Sequence, residues 1–548
     1  MDTRPVSLRR DRCWALMGLV LALGGSAPAA RASPGLETVI QDDAALLHPG
    51  APRVRATMRQ LRALGFDRVR LTATWSSLTR SPGSRHRPSF DAANPAAYEQ
   101  DRWRRLDTAV RSARAAGLRV MIDVGFWAPR WAAHGAGPRV RARIDPAAFA
   151  DFAVAIARRY SGSFWPRAPS ASPAPTPPPP PPAATPPLIP GLPAARAAAT
   201  ASAALPSIDM LALWNEPNHP AFLLPQWRRS HGRPVPASPG VYRAMVRAAY
   251  PAIKHARPEV SVLVGNTSSR GGLNGHGPVA PLRFLRQLAC VDEHLRPLRD
   301  GGCAHFTTLP GDGWAHHPYS LTSPPNATSS GIRSDDIYLG NLPRLAHTLD
   351  RLAAKHRITA GMRSIYLTEF GYETRPLSKR HNVTESVQAR YLTWGEYLAS
   401  RVPTVRMFGQ FLLRDLPPAA TVQSDSPQRP YGQFYTGLQH ADGTAKPACR
   451  SFRAGLFAQR IGAGRVLLFG RLRLGPAPRR IVVQASSDGR RWVTLSTARA
   501  SGANTRAFSS EGDGSFVRFA PDRRPMLYRL RVSGPRGHWT PSLPVTAV

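Results

Sequence analysis

Ile208-Asp209-Met210-Leu211-Ala212-Leu213-Trp214, followed at once by Asn215-Glu216-Pro217-Asn218, is a short and almost continuously apolar run that stops on a polar turn. A run of this length is too short for a buried helix and lacks the alternation of a half-exposed strand, so it reads as a strand covered on both faces, as in a parallel sheet. A second run of the same kind, Ser364-Ile365-Tyr366-Leu367-Thr368, ends on Glu369-Phe370-Gly371-Tyr372. Both strands therefore deliver a glutamate at their carboxyl end.

Working outward, similar runs occur at Val39 to Ile40, Arg68 to Ala73, Arg119 to Gly125, Val260 to Gly265, Gly313 to Tyr319 and Val405 to Leu412. With the two above they make eight, and helical periodicity lies between them at Val54 to Leu64, Trp103 to Ala116, Pro146 to Tyr160, Pro239 to His255, Val279 to Leu288, Asn341 to His356 and Ser386 to Ser400. Eight parallel strands with helical crossovers predict an α/β fold, a (β/α)₈ TIM barrel, over residues 33–459. Residues 166–205 collapse into proline and alanine, including an unbroken proline run from Pro177 to Pro182. Such a composition cannot build a core; it could link two domains, but the runs before it need those after it to complete one barrel, so it is read as a disordered insertion. From 460 to 548 the texture changes to alternating segments between turn residues, such as Arg465 to Leu472, Arg480 to Ala485, Trp492 to Ser496, Ser515 to Phe519 and Met526 to Val532, which predicts a small all-β sandwich.

The chain has 548 residues, 42% of them hydrophobic, and a formal net charge of +39. That composition excludes a disordered chain and a membrane bundle. Of the 73 basic residues four are lysines (Lys254, Lys355, Lys379, Lys446), which leaves 73 − 4 = 69 arginines, scattered along the chain without a nucleic-acid-binding motif. A specific nucleic-acid partner is therefore not expected. A field of this sign favours acidic polymers, so an anionic polysaccharide is a candidate partner. Arg9, Arg10 and Arg12, the apolar run from Trp14 to Leu23, and Ala30-Arg31-Ala32 match the three parts of a signal peptide, residues 1–32, too short for a membrane span. A secreted, extracellular monomer is expected. With Cys13 removed, Cys290, Cys303 and Cys449 remain; the first two can close a short disulfide loop, the alternative being three free thiols.

The paired glutamates carry the chemistry. Asn215-Glu216-Pro217 after one apolar strand and Thr368-Glu369-Phe370-Gly371 after another resemble the catalytic motifs of clan A retaining glycoside hydrolases, the cellulase-like family 5 and the xylosidase-like family 39. The C-terminal region, with Tyr528, Arg529 and Arg531 before Gly534-Pro535, resembles a fibronectin type III or immunoglobulin-like module. The clan resemblance implies a secreted enzyme that cleaves O-glycosidic bonds of a polysaccharide or oligosaccharide, with Glu216 as acid/base and Glu369 as nucleophile; a binding protein that has lost turnover and a transglycosylase are the alternatives. Two carboxyls suit this chemistry because one protonates the leaving oxygen while the other attacks the anomeric carbon. Glu216 is then expected to sit above its ordinary carboxylate range, raised by apolar surroundings and the charge of Glu369.

The same resemblance assigns Arg70 to a hydrogen bond with the nucleophile, Asn215 to the sugar 2-hydroxyl, and His317 and Tyr319, in Trp314-Ala315-His316-His317-Pro318-Tyr319, to the contacts around the carboxylates. Arg68, two residues from Arg70 and on the same face, is its rival. Among the aromatic residues in the loops after the second to fourth strands (Trp75, Phe126, Trp127, Trp131, Trp214 and Phe222), Trp127 and Trp131 are the preferred sugar platforms because they bracket Pro129. Many clan members present a tryptophan on the eighth strand; Met407-Phe408-Gly409-Gln410-Phe411-Leu412 has none, so Gln410 or Phe411 takes that place. His316-His317 without a carboxylate at ligand spacing predicts no metal site, and no cofactor motif occurs. Deleting residues 169–203 should leave a cooperative thermal transition within about 3 °C of the full chain, because a segment made mostly of proline and alanine contributes little to a core; loss of the transition would refute that reading.

Overall fold

The computed structural model describes residues 36–166, 204–374, 382–416, 434–462, 464–473, 480–495, 508–509, 515–522, 526–533 and 539–548. The signal peptide expected at residues 1–32 and nearly all of the proline-rich stretch 166–205 lie outside the described residues.

Eight parallel strands close a barrel. In chain order they are β1 (Glu37–Gln41), β2 (Arg68–Thr74), β3 (Arg119–Gly125) and β4 (Met210–Leu213), then, after a two-stranded hairpin β5 (Trp227–Ser230) and β6 (Arg233–Pro236), β7 (Ser261–Ser268), β8 (Gly313–His317), β9 (Ile365–Leu367) and β10 (Val405–Phe411). β1 pairs with both β2 and β10, which closes the ring. The helices are α1 (Asp43–Leu46), α2 (Ala51–Leu64), α3 (Trp75–Leu78), α4 (Gln100–Ala115), α5 (Pro146–Arg159), α6 (Ser238–Ala256), α7 (Pro281–Leu288), α8 (Leu342–Ala354), α9 (Glu385–Ser400) and α10 (Pro447–Arg453). Their starts follow local chemistry: the Asp145 carboxylate accepts from the amides of Ala147 and Ala148 with Pro146 in the first turn of α5, and Thr384 caps α9.

Along each strand alternate residues face inward and outward. Val39, Met121, Met210, Ala212, Leu263, Ala315 and Met407 fill the barrel interior, while the outward set joins the large core beneath the helices. Polar side chains occupy the two ends of the interior. Arg68 reaches back to Glu37, the first residue of β1, and to Asp209, which precedes β4. Arg70 reaches forward to groups that follow strands, and it marks the end where function is concentrated.

Beyond the barrel, β11 (Ala454–Arg460), β12 (Arg465–Leu472), β13 (Arg480–Ser486), β14 (Val493–Thr494), β15 (Phe508–Ser509), β16 (Ser515–Pro521), β17 (Leu527–Ser533), β18 (Trp539–Pro541) and β19 (Val545–Thr546) form two antiparallel sheets around one core that includes Leu456, Leu468, Ile481, Val483, Phe516, Leu530 and Val532. The all-β region begins at Ala454, not at residue 460 as the sequence texture suggested. β11 is buried on both faces: Leu456 points into the sandwich, and Phe457 stacks on Trp394 of α9 at 5.3 Å. It therefore shows no alternation to read. Cys290, after α7, and Cys303 form a disulfide, and Cys449 is a free thiol buried in α10. No helix among the described residues is long and apolar enough to cross a membrane.

The sandwich is joined to the barrel by charge as well as by aromatic packing. Glu396 of α9 is buried and receives the guanidinium of Arg473 and, at 3.5 Å, Arg471; Arg471 also donates to the Leu36 carbonyl at 2.8 Å, just before β1. Burial pulls Arg473 below its ordinary value despite this partner. Glu396→Gln should lower unfolding free energy by roughly 3 kcal/mol or more, because it leaves a buried cation without its carboxylate. Adding Arg473→Leu should return part of that loss in urea denaturation; no recovery would contradict the pairing.

Candidate active site

The site begins with a cation that has no access to water. Arg70, inside β2, is 0% exposed. Its guanidinium donates to Gln41 at the end of β1, to Glu369 after β9 and, at 2.8 Å, to Oδ1 of Asn215 after β4, and it lies 3.0 Å from Asp123 of β3. The Arg68 and Arg70 alternatives are thereby separated, since Arg68 serves the opposite end of the barrel.

Glu369 is held on both oxygens. Arg70 takes Oε1, and the Tyr319 hydroxyl donates to Oε2 at 3.1 Å. Burial, followed by the charges of Glu369 and Glu216, pushes the Tyr319 phenol well above its ordinary value, so it stays a donor. Between the two glutamates lies one imidazole: His317 Nδ1 is 2.9 Å from Oε1 of Glu216, and Nε2 is 3.6 Å from Oε1 of Glu369. Both carboxylates keep a path to solvent, with side-chain exposures of 15% for Glu216 and 10% for Glu369. The neighbouring His316 faces away; it is buried against Thr267 and the Ile337 carbonyl, and burial pulls it down to about 4.

Glu216 departs from expectation in its electrostatics. Burial does raise its carboxyl, but the hydrogen bond and charge of His317, helped by the charges of His219 and Arg70, outweigh it and hold Glu216 below its ordinary value. The expected upward shift treated the surroundings as apolar, whereas a histidine sits in direct contact. Asp123 moves the other way, pushed up to about 6 by burial, with Arg70 opposing and Glu369 adding to the shift.

The chain that follows β4 has an unusual backbone. Trp214 and Glu216 have φ of 65° and 37°, in the left-handed region that side chains other than glycine rarely adopt. Asn266 holds this turn. A bulge in β7, with Gly265 at φ 109° and Asn266 at φ 46°, turns its amide inward, where Nδ2 donates to the Trp214 carbonyl at 2.7 Å and to Asp123 at 3.1 Å; its own carbonyl accepts from the Glu216 amide at 3.0 Å. Sequence reading missed both Asp123, hidden inside an apolar strand, and Asn266. The triplet Asn266-Thr267-Ser268 has the form of a glycosylation signal, yet Asn266 is 1% exposed.

The aromatic candidates divide. Trp75 and Trp214 are buried, Trp75 stacked on Phe152 at 5.4 Å. Trp131 is wedged edge-on between Trp75 and Phe90, with Arg87 over its ring, and among the described residues its contacts belong to that outer aromatic layer. Trp127, Phe126 and Phe222 are half-buried and form a chain of ring contacts at 4.8 and 5.0 Å that reaches His219. Gln410 lies on the outward face of β10, and its amide nitrogen is committed to the carbonyls of Phe411, Leu412 and Thr436. Met407 of the same strand faces the interior, so alternation gives the inward direction to Phe411. Among the described residues no group of three or more His, Cys, Asp or Glu side chains could hold a metal ion.

No family model and no curated protein matches the chain. Solved structures similar to it include the GH5_18 protein of Streptomyces cattleya in complex with GlcNAc, 17% identical over 76% of this chain and 79% of that one with a TM-score of 0.41. They also include GH5_18 from Bifidobacterium longum subsp. longum, 15% identical over 76% and 78% with a TM-score of 0.42. The endo-beta-1,4-mannanase of Thermotoga petrophila is 11% identical over 94% and 98%, with a TM-score of 0.37.

Arg70→Met leaves Asp123 and Glu369 in the interior without their cation and should cost roughly 3–5 kcal/mol of stability at neutral pH. The sign of its pH dependence follows from Asp123. A carboxyl whose folded value, about 6, lies above its unfolded value stabilises the fold at acid pH and loses that contribution as pH rises through 6; losing Arg70 moves it further up. Urea denaturation should show a larger deficit at pH 8 than at pH 5, and equal deficits would contradict the arrangement.

Proposed function

We propose that this chain is a glycoside hydrolase that cleaves O-glycosidic bonds of a polysaccharide or oligosaccharide with retention of configuration. The observation that carries the reading is the placement of Glu216 and Glu369 on opposite nitrogens of one imidazole, at the carboxyl ends of two barrel strands, each with access to solvent.

In the proposed first step an oxygen of Glu369 bonds to the anomeric carbon as the bond to the leaving oxygen breaks, and a proton from Glu216 passes to that oxygen. Water then attacks the same carbon, gives its proton to Glu216 and releases Glu369. Arg70 and Tyr319 fix the Glu369 rotamer by holding both its oxygens, so attack needs no reorganisation. Asn215, oriented by Arg70 through its Oδ1, keeps its amide nitrogen for the sugar 2-hydroxyl. The 2.9 Å contact between His317 Nδ1 and Oε1 of Glu216 orients the carboxyl that gives and takes the proton. Half-buried Trp127 remains the platform candidate, while the packing of Trp131 and the hydrogen bonds of Gln410 favour structural roles for those two. Export is part of the proposal and is supported by the basic and apolar N-terminal sequence together with the disulfide.

Glu369→Ala should abolish turnover of aryl glycosides, with azide or formate restoring part of it by occupying the vacated nucleophile position. Glu216→Ala should spare glycosides with good leaving groups and fail on poor ones, which need the proton. A panel of chromogenic glycosides checks both; equal losses for good and poor leaving groups would remove Glu216 from the acid/base role, and absence of rescue in a folded protein would remove Glu369.

A further inference from the structure

We infer that the substrate is an acidic glycan whose anionic groups are received by the loops that follow β3 and β4, an inference that rests on the glycosidase reading and names its substrate class. Between Phe126 and Ile144 the chain carries four arginines, and between Pro217 and Ala237 three more, with no aspartate or glutamate in either stretch. Arginine is frequent throughout this chain, so its number alone decides nothing. What sets these loops apart is their place, since they follow β3 and β4 and the second begins directly after Glu216. Other arginines, such as Arg286 with Asp335 at 2.8 Å and Arg333 with Asp336 at 3.4 Å, are neutralised by a carboxylate. Among the described residues none of the seven loop arginines lies within ion-pair distance of a carboxylate, and Arg139, Arg228 and Arg233 are exposed.

The geometry ties this cationic surface to the reacting centre. The Leu224 amide donates to the Arg141 carbonyl at 2.7 Å, which joins the two loops, and Gln226 Nε2 donates to the Pro217 carbonyl at 2.9 Å, one residue from Glu216. The hairpin that bears Arg228 and Arg233 is held in turn by Trp227, whose ring nitrogen donates to the Gly277 carbonyl at 2.8 Å. From His219, whose charge acts on Glu216, the half-buried rings of Phe222, Phe126 and Trp127 lead outward, and the guanidinium of Arg139 lies over Trp127 at 5.3 Å. A pyranose lying along those rings presents its substituents to fixed cations at the rim. Uncompensated charge above low-dielectric walls focuses the field and draws in ligands of opposite sign. The chemistry recognised is an anionic group on a sugar ring, carboxylate or sulfate.

Binding of the full chain carrying Glu369→Ala, which stops turnover, tests this at about 0.15 M salt, where long-range attraction is screened. The probes are two matched pairs: polygalacturonate with its carboxyl-reduced form, and dextran sulfate with dextran. The charged member of at least one pair should bind about tenfold tighter than its neutral partner, and which pair shows it identifies the anionic group. That preference should vanish when Arg139→Gln, Arg228→Gln and Arg233→Gln are combined, and persist when the same charge is removed by Arg55→Gln, Arg59→Gln and Arg351→Gln at exposed positions outside these loops. Equal binding of charged and neutral members, equal loss in both triple variants, or a preference that survives in both, overturns the inference. A preserved preference in a protein whose wild type hydrolyses no glycoside would sink the catalytic reading alone.

Discussion

A guanidinium without water must find its counter-charges and hydrogen-bond acceptors inside the protein, and Arg70 finds them on four other strands. Gln41 comes from β1, Asp123 from β3, Asn215 from the end of β4 and Glu369 from the end of β9. None of these is a sequence neighbour of Arg70, so the cation is satisfied only once the ring of strands has closed in register. A slip of one residue in β2 would turn Arg70 outward and leave Asp123 and Glu369 in the interior without a cation. Folding and the assembly of the site are in this sense one event. The opposite end of the barrel repeats the device with Arg68, Glu37 and Asp209, so the apolar plug is bounded by an arginine at each end.

The Glu216 side of the site depends on a different kind of constraint. Two residues in left-handed backbone, Trp214 and Glu216, each carry strain on the order of 1 kcal/mol or more, which persists only where the surroundings over-determine it. Asn266 supplies that determination through its side chain and its own carbonyl, and Thr368, adjacent to Glu369, donates to Asn266 Oδ1 at 3.1 Å. One amide thus connects the turn that aims Glu216 with the strand end that presents Glu369.

Elements with a single dominant period were legible in the sequence: all eight barrel strands and the helices between them appear where the apolar runs and 3.6-residue patterns placed them. Features were lost where a residue answers to two environments. β11 is apolar on both faces because it serves the sandwich and α9 together, so it read as barrel. The β5 and β6 hairpin, rich in arginine and proline, carries no strand signal because none of its residues is fully buried and so no apolar alternation is required. Among site residues, those at strand ends were visible because a charge after an apolar run is conspicuous. Asp123 sits within such a run, and its role depends on a partner fifty-three positions away, 123 − 70 = 53. Gln410 shows the converse, since a polar residue near a strand end looked functional until alternation and its bonds to three carbonyls set it on the outer wall.

The protonation of the site follows from His317 more than from apolar surroundings. If Glu216 stood alone near Glu369, repulsion would raise it, and esterification of Glu369 would simply lower it again. In the proposed mechanism esterification of Glu369 removes a negative charge that repels ionised Glu216, while the imidazole between the two stays in place. The Nδ1 contact at 2.9 Å is much shorter than the Nε2 contact at 3.6 Å, so His317 acts more strongly on Glu216 than on Glu369. A retaining mechanism needs its acid to become a base between steps; in the one proposed for this chain Glu216 gives one proton to the leaving oxygen and takes another from water, keeping its contact with His317 throughout.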